Sequence, residues 1–345
     1  MAPKQIVIAG GGLAGLTLGI ALRQRQVPVQ IFEAGHYPRH RVCGEFINGR
    51  GQAVLDQLGL KRLLVAARGV PATTAAFFCG QAQSPGRHLV APAICVSRYE
   101  LDNLLAREFQ RLGGTLFEER RYSGDLSAEG VVRATGRRLK PNPDEQRWFG
   151  LKVHAIGLSF KADLEMHLIP HGYVGICRLG QHEANICGIF EKHMGENSTG
   201  TWKEILKGPQ NDALRRQLAG AELLEETFCA VAGIDLRPDS DAATAELRIG
   251  DALTMIPPVT GNGMSIAFEC ASLATEPLGA YSSGSMKWGE ARNRVAALCH
   301  QAFHRRLSWA HWLQTAIMHA PEHPAVSRMA LRSERLWRFF YSRTR

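Results

Sequence analysis

The sequence predicts an α/β protein. A parallel-sheet domain is split by an inserted, mostly antiparallel β-sheet and followed by a helical C-terminus. Three observations carry this prediction. An apolar run, Gln5-Ile6-Val7-Ile8-Ala9, leads straight into Gly10-Gly11-Gly12-Leu13-Ala14-Gly15. A second glycine-rich stretch, Gly250-Asp251-Ala252 followed by Pro258-Val259-Thr260-Gly261-Asn262-Gly263-Met264, lies far down the chain. Between them, short apolar runs alternate with turn residues, as in strands joined by tight connections.

The first run has the β-branched, unbroken apolar character of a buried parallel strand. Gly10, Gly12 and Gly15 fit G-x-G-x-x-G. Gly10 permits the tight turn, Gly12 leaves room for a pyrophosphate, and Gly15 lets helix and strand pack closely. Leu13 to Arg25 follows with helical spacing, placing Leu13, Leu16 and Ile20 on the buried side. The helix N-terminus offers unpaired N–H groups and a partial positive charge to an anion. Val27 to Phe32 reads as the second strand, and Glu33 at its end can accept hydrogen bonds from an adenosine ribose. NAD and FAD both contain an ADP half, so this motif alone leaves the dinucleotide open.

The second stretch repeats the logic. Leu247-Arg248-Ile249 is a short strand, Thr260 to Gly263 a glycine turn, and Met264 to Ala274 a helix with Ile266, Ala267, Cys270 and Leu273 apolar. A second helix N-terminus behind a glycine turn suits the negative charge of a reduced flavin.

Together these segments resemble the FAD-binding elements of the p-hydroxybenzoate hydroxylase-like flavoproteins, over residues 4–274. That superfamily includes aromatic hydroxylases, flavin halogenases and geranylgeranyl reductases. The resemblance implies a Rossmann-type, glutathione-reductase-like FAD domain. It implies that Gly10, Gly12, Leu13, Ala14, Gly15 and Glu33 hold the ADP half. It also implies that Asp251 bonds the ribityl chain, while Pro258, Gly261, Asn262, Gly263 and Met264 face the flavin pyrimidine. Ser97-Arg98-Tyr99 resembles the segment whose arginine approaches the cofactor, and Arg41-Val42-Cys43-Gly44-Glu45-Phe46 resembles a segment of the geranylgeranyl reductase branch. By that likeness Arg41 and Arg98 pair with the cofactor, and Cys43 and Glu45 are the catalytic candidates. Cys43 would lie beside the isoalloxazine, as proton donor or as pocket wall. Glu45 would be a general acid or base if burial raised its pKa, and otherwise an ordinary surface carboxylate. His154, His167 and His171 are further candidates on the inserted sheet, each more readily read as structural.

Two departures bear on the reaction. The Asp-Gly that hydroxylases carry near mid-chain is replaced by Thr135-Gly136, after Val131-Val132-Arg133-Ala134. The Trp-x-Trp-x-Ile-Pro signature of tryptophan halogenases is absent from the sequence. The first departure tips the reading toward C=C reduction or dehydrogenation of a hydrophobic isoprenoid, polyketide or aromatic compound. The alternative is a monooxygenase that hydroxylates an aromatic or polyketide substrate through a C4a-hydroperoxide. A third reading is a non-catalytic electron-relay flavoprotein. The sequence has no second dinucleotide fingerprint, so NAD(P)H would act as a transient donor.

Composition is that of an ordinary globule, with 345 residues, 45% hydrophobic and 21% charged. No apolar run is long enough to span a bilayer, and the early first strand predicts no signal peptide. Eight cysteines without a C-x-x-C pair predict buried thiols in a reducing, cytoplasmic setting, with no metal site. The net charge of +9 is concentrated after residue 275, where eleven Lys/Arg face four acids. The remainder is nearly neutral, which speaks against nucleic-acid binding.

The expected FAD domain is discontinuous, at residues 1–65, 93–136 and 245–280. The substrate domain takes 70–90 and 151–243, with Leu139 to Arg147 as linker. Within it Leu151–Ile156, Asp163–Ile169, Tyr173–Leu179 and Ala184–Phe190 read as strands, and Trp202 to Leu218 as a helix. Residues 286–345 form a helical tail broken at Pro321 and Pro324, rich in arginine and aromatics. Its plain reading is helices packed across both domains. The sharper one is peripheral contact with a membrane or an acidic carrier protein.

Overall fold

A computed structural model describes residues 2–137, 148–192, 201–208, 212–236, 245–254 and 256–344. The linker expected at Leu139 to Arg147 lies outside the described residues. The strands are β1 (Ile6–Ala9), β2 (Val29–Phe32), β3 (Phe46–Ile47), β4 (Val70–Cys79), β5 (Ala82–Gln83), β6 (Arg87–Cys95), β7 (Thr115–Phe117), β8 (Val131–Arg133), β9 (Trp148–Ile156), β10 (Leu164–Ile169), β11 (Gly172–Arg178), β12 (Glu183–Glu191), β13 (Glu222–Ile234) and β14 (Leu247–Arg248). The helices are α1 (Leu13–Gln24), α2 (Gly49–Gln57), α3 (Lys61–Ala66), α4 (Arg98–Arg111), α5 (Trp202–Lys207), α6 (Asp212–Leu218), α7 (Gly263–Ser283), α8 (Trp288–His319), α9 (Pro324–Arg332) and α10 (Glu334–Thr344).

Five strands form a parallel sheet in the order β14-β8-β1-β2-β7. Its central strand β1 is apolar throughout, as a buried parallel strand is, whereas Thr115, Arg133 and Arg248 stand on strands nearer its edges. Ile8 and Ile31 from the sheet, Leu16 and Ile20 from α1, and Phe268 from α7 share one core. The order expected from sequence, strand to glycine turn to helix to strand, is what forms.

The other sheet runs β13-β9-β12-β11-β10-β4-β6-β3, with β5 attached to β4. Its described pairings are antiparallel except β10 with β4, which is parallel. The sheet is therefore mixed, though mostly antiparallel as expected. Its boundaries with the first domain differ from the sequence division. β3 comes from within residues 1–65, and β6 runs on to Cys95. β3 is the edge strand, and it joins the flavin domain to the inserted sheet by pairing with β6 through Phe46–Cys95 and Ile47–Ile94.

The helix expected over Trp202 to Leu218 is two short helices. α5 ends at Gly208, which takes a left-handed φ of 63° that glycine adopts without strain. The tail is helical throughout its described part. α8 runs for 32 residues before the prolines stop it. It packs across both domains, with Phe303 in the core of the parallel sheet and Ile317 against Val259 and the inserted sheet.

Candidate active site

The glycine turn after β1 has the shape of a phosphate cradle. Gly10 has φ 112°, and a Cβ there would lie 2.3 Å from the Ala134 carbonyl oxygen. A Cβ on Gly15 would lie 2.0 Å from the Gly10 oxygen, so α1 rests directly on the turn. In front of Gly12 the space is open, with nothing within 4 Å of a Cβ position. Gly12 caps α1 without any side-chain hydrogen bond. The first-turn N–H groups of Leu13 and Ala14 therefore keep their capacity for an anion.

Glu33 stands beside this turn. Its Oε2 accepts from Gly11 N at 2.9 Å and its Oε1 from Gly35 N at 2.9 Å. Arg39 pairs with it closely, and Arg41 lies 3.5 Å away. Burial opposes ionisation of Glu33, but Arg41, the Gly35 amide and Arg39 outweigh it and hold the carboxyl below its ordinary range. Arg41 also reaches Asp102 at 3.4 Å. Asp102 is held by Arg98 through two bonds of 2.6 and 2.7 Å. Burial works against the Arg98 cation, and Asp102 more than compensates. Arg98 is thus paired with a buried carboxylate, and it also meets the Cys43 thiol.

The second glycine stretch meets the first. Gly250 has φ 62°, and a Cβ there would lie 2.9 Å from the Cβ of Ala14. Asp251 pairs with Arg137 at 3.3 Å, and Arg137 donates to the Val42 carbonyl at 3.3 Å. Burial disfavours the Arg137 cation, but Asp251 carries its pKa above the ordinary value. A 3-10 turn at Pro258–Thr260 leads to Gly261, whose φ is 62°. The Phe46 ring presses on that glycine, where a Cβ would come within 1.9 Å of it. Asn262 opens α7 without capping it, and the space beside Gly263 is open. The Asn262 side chain is held on both sides, accepting from Asn48 Nδ2 at 2.6 Å and donating to the Thr344 carbonyl.

A cavity of about 580 Å³ extends from this loop. Its floor is the inserted sheet, with Ala76, Met166, Leu168, Tyr173 and Ile189 facing in. One wall is Val42 to Phe46 with Pro258 to Met264, and the roof is the end of α8 with α9 and α10. Cys43 therefore lines the cavity together with Asp251 and Gly261. Its carbonyl accepts from Asn185 at 2.9 Å. Burial lifts the pKa of Tyr173 well above that of a free phenol, so its hydroxyl remains a donor.

Glu45 has a different setting from a proton donor's. Its carboxylate is wholly buried and accepts from Arg98 N at 2.8 Å and His154 Nε2 at 2.7 Å, with Lys152 Nζ at 3.6 Å. His154 continues to Glu183 at 2.7 Å, and Lys152 to His40 at 3.0 Å. Burial pushes the Glu45 pKa up, yet the His154 bond and the Lys152 charge bring it below the ordinary value. This reverses the premise under which Glu45 would act as an acid. Burial lowers the His154 pKa, but Glu183 and Glu45 raise it overall. His40 is pushed down to about 4 by burial and by Lys152. Glu45 has φ 56°, a strained value for a non-glycine residue that fits a fixed structural junction. His167 and His171 pair with Glu165 and Glu191, and neither is among the described residues lining the cavity. No group of His, Cys, Asp and Glu among the described residues could hold a metal.

Sequence reasoning missed Arg137 and Lys152. Arg137 stood at the edge of an expected linker, and Lys152 occupied a strand position that reads as solvent-facing. Both find their partners only through the fold.

Comparison with known proteins bears on the same residues. Residues 4–147 match the family described as FAD binding domain. Residues 4–147 are thus similar to an FAD-binding domain. No curated protein matches. Among solved structures, the flavin-dependent brominase Bmp2 aligns over 100% of this chain and 95% of its own, with TM-score 0.74 and 15% identity. The flavin-dependent halogenase CmlS aligns over 99% and 70%, with TM-score 0.71 and 19% identity. PqsL from P. aeruginosa, in complex with 2-aminobenzoylacetate, aligns over 91% and 97%, with TM-score 0.68 and 17% identity. At such identities the likeness is one of fold. The domain match and this shared fold agree with an FAD-dependent oxidoreductase. The finer likeness to the geranylgeranyl reductase branch rests on Arg41 to Phe46 alone.

The residues present fit FAD. The open space at Gly12 and at Gly263, two uncapped helix N-termini, and the contact between Ala14 and Gly250 form one continuous cradle. Arg39 Nε is buried beside that turn without a hydrogen-bond partner, while Arg41 Nε faces Asp102 at 3.4 Å. No helix of the described residues is long and apolar enough to cross a membrane.

Proposed function

We propose that the protein is an FAD-dependent monooxygenase that hydroxylates an apolar aromatic or polyketide-like small molecule. The observation that carries this reading is the cavity, which joins a predominantly apolar sheet floor to the loop Pro258 to Met264. A cavity of this kind suits a hydrophobic substrate stacked at a flavin edge. It counts against a purely electron-relaying protein, which needs no such chamber.

Bound FAD, once reduced, supplies the two electrons that let dioxygen give one atom to substrate and one to water. The chain's own residues do the rest. The α7 N-terminus presents N–H groups to a negative pyrimidine edge. Arg137, drawn to Asp251 and Val42 O, fixes the strap that carries Cys43. The apolar floor excludes bulk water, and the Tyr173 hydroxyl can donate to a carbonyl or phenol oxygen of the substrate.

The reductase reading needed a proton donor beside the ring. Glu45 is held as a carboxylate by Arg98 N, His154 and Lys152, which argues against it as that source and leaves Cys43 and Tyr173 as the candidates. The brominase and the halogenases share the fold, while this sequence lacks the Trp-x-Trp-x-Ile-Pro signature. PqsL has also been described as a probable FAD-dependent monooxygenase, which supports oxygenation as the chemistry of this fold. NAD(P)H remains the proposed transient donor.

The test is isotopic. FAD-loaded enzyme, reduced anaerobically, is mixed with heavy dioxygen and a panel of aromatic and polyketide compounds. One heavy atom in a hydroxylated product is expected. Saturation of a C=C bond with no label would replace this proposal by the reductase reading.

A further inference from the structure

We infer that the face formed by α9, α10 and the end of α8 docks on an anionic lipid bilayer, with the cavity opening onto that face. The mouth is located by residues that both line the cavity and stand exposed. Trp312, Ala316 and His319 of α8, His323 at the N-cap of α9, Val326 and Ala330 of α9, and Leu336 of α10 do so. The large apolar ones are Trp312, Val326 and Leu336, one from each helix, with His319 and His323 beside them. Outside them Met329, 71% exposed, and Phe339, 41% exposed, continue the apolar surface. Ser327 and Leu331 turn the opposite face of α9 inward, so helical spacing aims Met329 outward.

Arginines flank this patch. Arg328, Arg332 and Arg335 are exposed and have no hydrogen-bond or ion-pair partner among the described residues. The nearby acids are already engaged. Glu334 pairs with Arg87 and Arg338, and Glu322 lies against His319. The surface therefore carries uncompensated positive charge around an apolar rim.

These two properties select the occupant. An acidic protein would satisfy the arginines, but would cover the rim only if it also presented an apolar patch matched to it. A second copy would set like charges against each other. An anionic bilayer takes both, through charge at the headgroups and apolar side chains below them. An apolar substrate dissolved in the bilayer would then reach the cavity without crossing water. That last step rests on the proposed oxygenase function, whereas the docking does not.

The experiment measures docking without turnover. FAD-loaded protein is sedimented with vesicles of phosphatidylcholine alone or with phosphatidylglycerol added. Binding is expected to the anionic vesicles only, and to weaken with salt. Arg328→Gln combined with Arg332→Gln and Arg335→Gln should lower the partition coefficient on the order of a hundredfold, with flavin content unchanged. In the unaltered protein, brominated lipid should quench tryptophan emission through Trp312, a readout that needs no variant. Absence of both binding and quenching overturns the proposal. So does equal binding by the triple variant, capture by polyglutamate in place of vesicles, or burial of the face in a stable dimer. A protein that docks yet hydroxylates nothing would leave this inference standing and remove the oxygenase reading.

Discussion

Gly250 and Ala14 touch across the two halves of the cofactor cradle, with a Cβ position at Gly250 only 2.9 Å from the Ala14 methyl. The two glycine stretches are therefore one structure, closed by the absence of a single side chain. Gly250 also sits at φ 62°, where an L-residue is strained. Gly250→Ala should cost about 1–2 kcal/mol from the backbone alone. The methyl contact should also part the two motifs. We expect a folded protein with a lower melting temperature and a reduced ratio of flavin to protein absorbance. Full flavin content would show that the motifs bind independently.

The buried Glu45–Lys152–His154–Glu183 cluster sets a pH window. Glu45 is depressed below 4.5, so its contribution to stability is present above that value and lost as pH falls through its folded pKa. His154 is raised above 6.5, so its contribution is complete below that value and lost as pH rises through its folded pKa. Both are in force between those limits. Melting temperature should be greatest there, and Glu45→Ala should lower stability by about 3–5 kcal/mol, leaving Lys152 buried without its counter-charge. A thermal scan of both proteins across pH checks this. An unchanged profile in the variant would assign the window to other groups.

Cys43 separates oxygen transfer from thiol-assisted reduction. If oxygen transfer is the reaction, its thiol is wall, and Cys43→Ala should keep kcat/KM within about a factor of two. If C=C reduction with the thiol as proton source is the reaction, turnover should fall by orders of magnitude, with the loss falling on kcat. Steady-state kinetics of the variant with a verified substrate distinguishes these outcomes.

Much of this architecture was legible from residue spacing. Gly10 and Gly15 announce their turn because a Cβ at either would strike backbone, and Glu33 follows at the end of the next strand. The strands over residues 148–191 were legible because apolar runs there are bounded by turn residues, and β9, β11 and β12 are buried at consecutive positions on both faces. β13 was not. Glu222, Glu225 and Glu226 give it the look of a surface loop, and an edge strand carries no second neighbour to demand apolar residues. Glu45 was legible as a special residue but not in its role. Its partners Lys152 and His154 come from a strand of the other domain, and only their arrival turns a prospective acid into a fixed anion. Arg98 was obscured in the same way by Asp102, one helical turn along and fully buried.

The hydrogen bond from Asn262 to the Thr344 carbonyl has a mechanical meaning. It fastens the roof helix α10 to the hinge of the flavin loop, and Arg87 fastens the start of that helix through the Leu331 and Ser333 carbonyls. The roof is thus a beam pinned at two points, one of them on the cofactor's own support. A shift of Gly261 to Gly263 on binding or reducing a flavin would be felt at the far end of the beam, at the mouth of the chamber. Filling the cradle and admitting a guest would then be movements of a single lever.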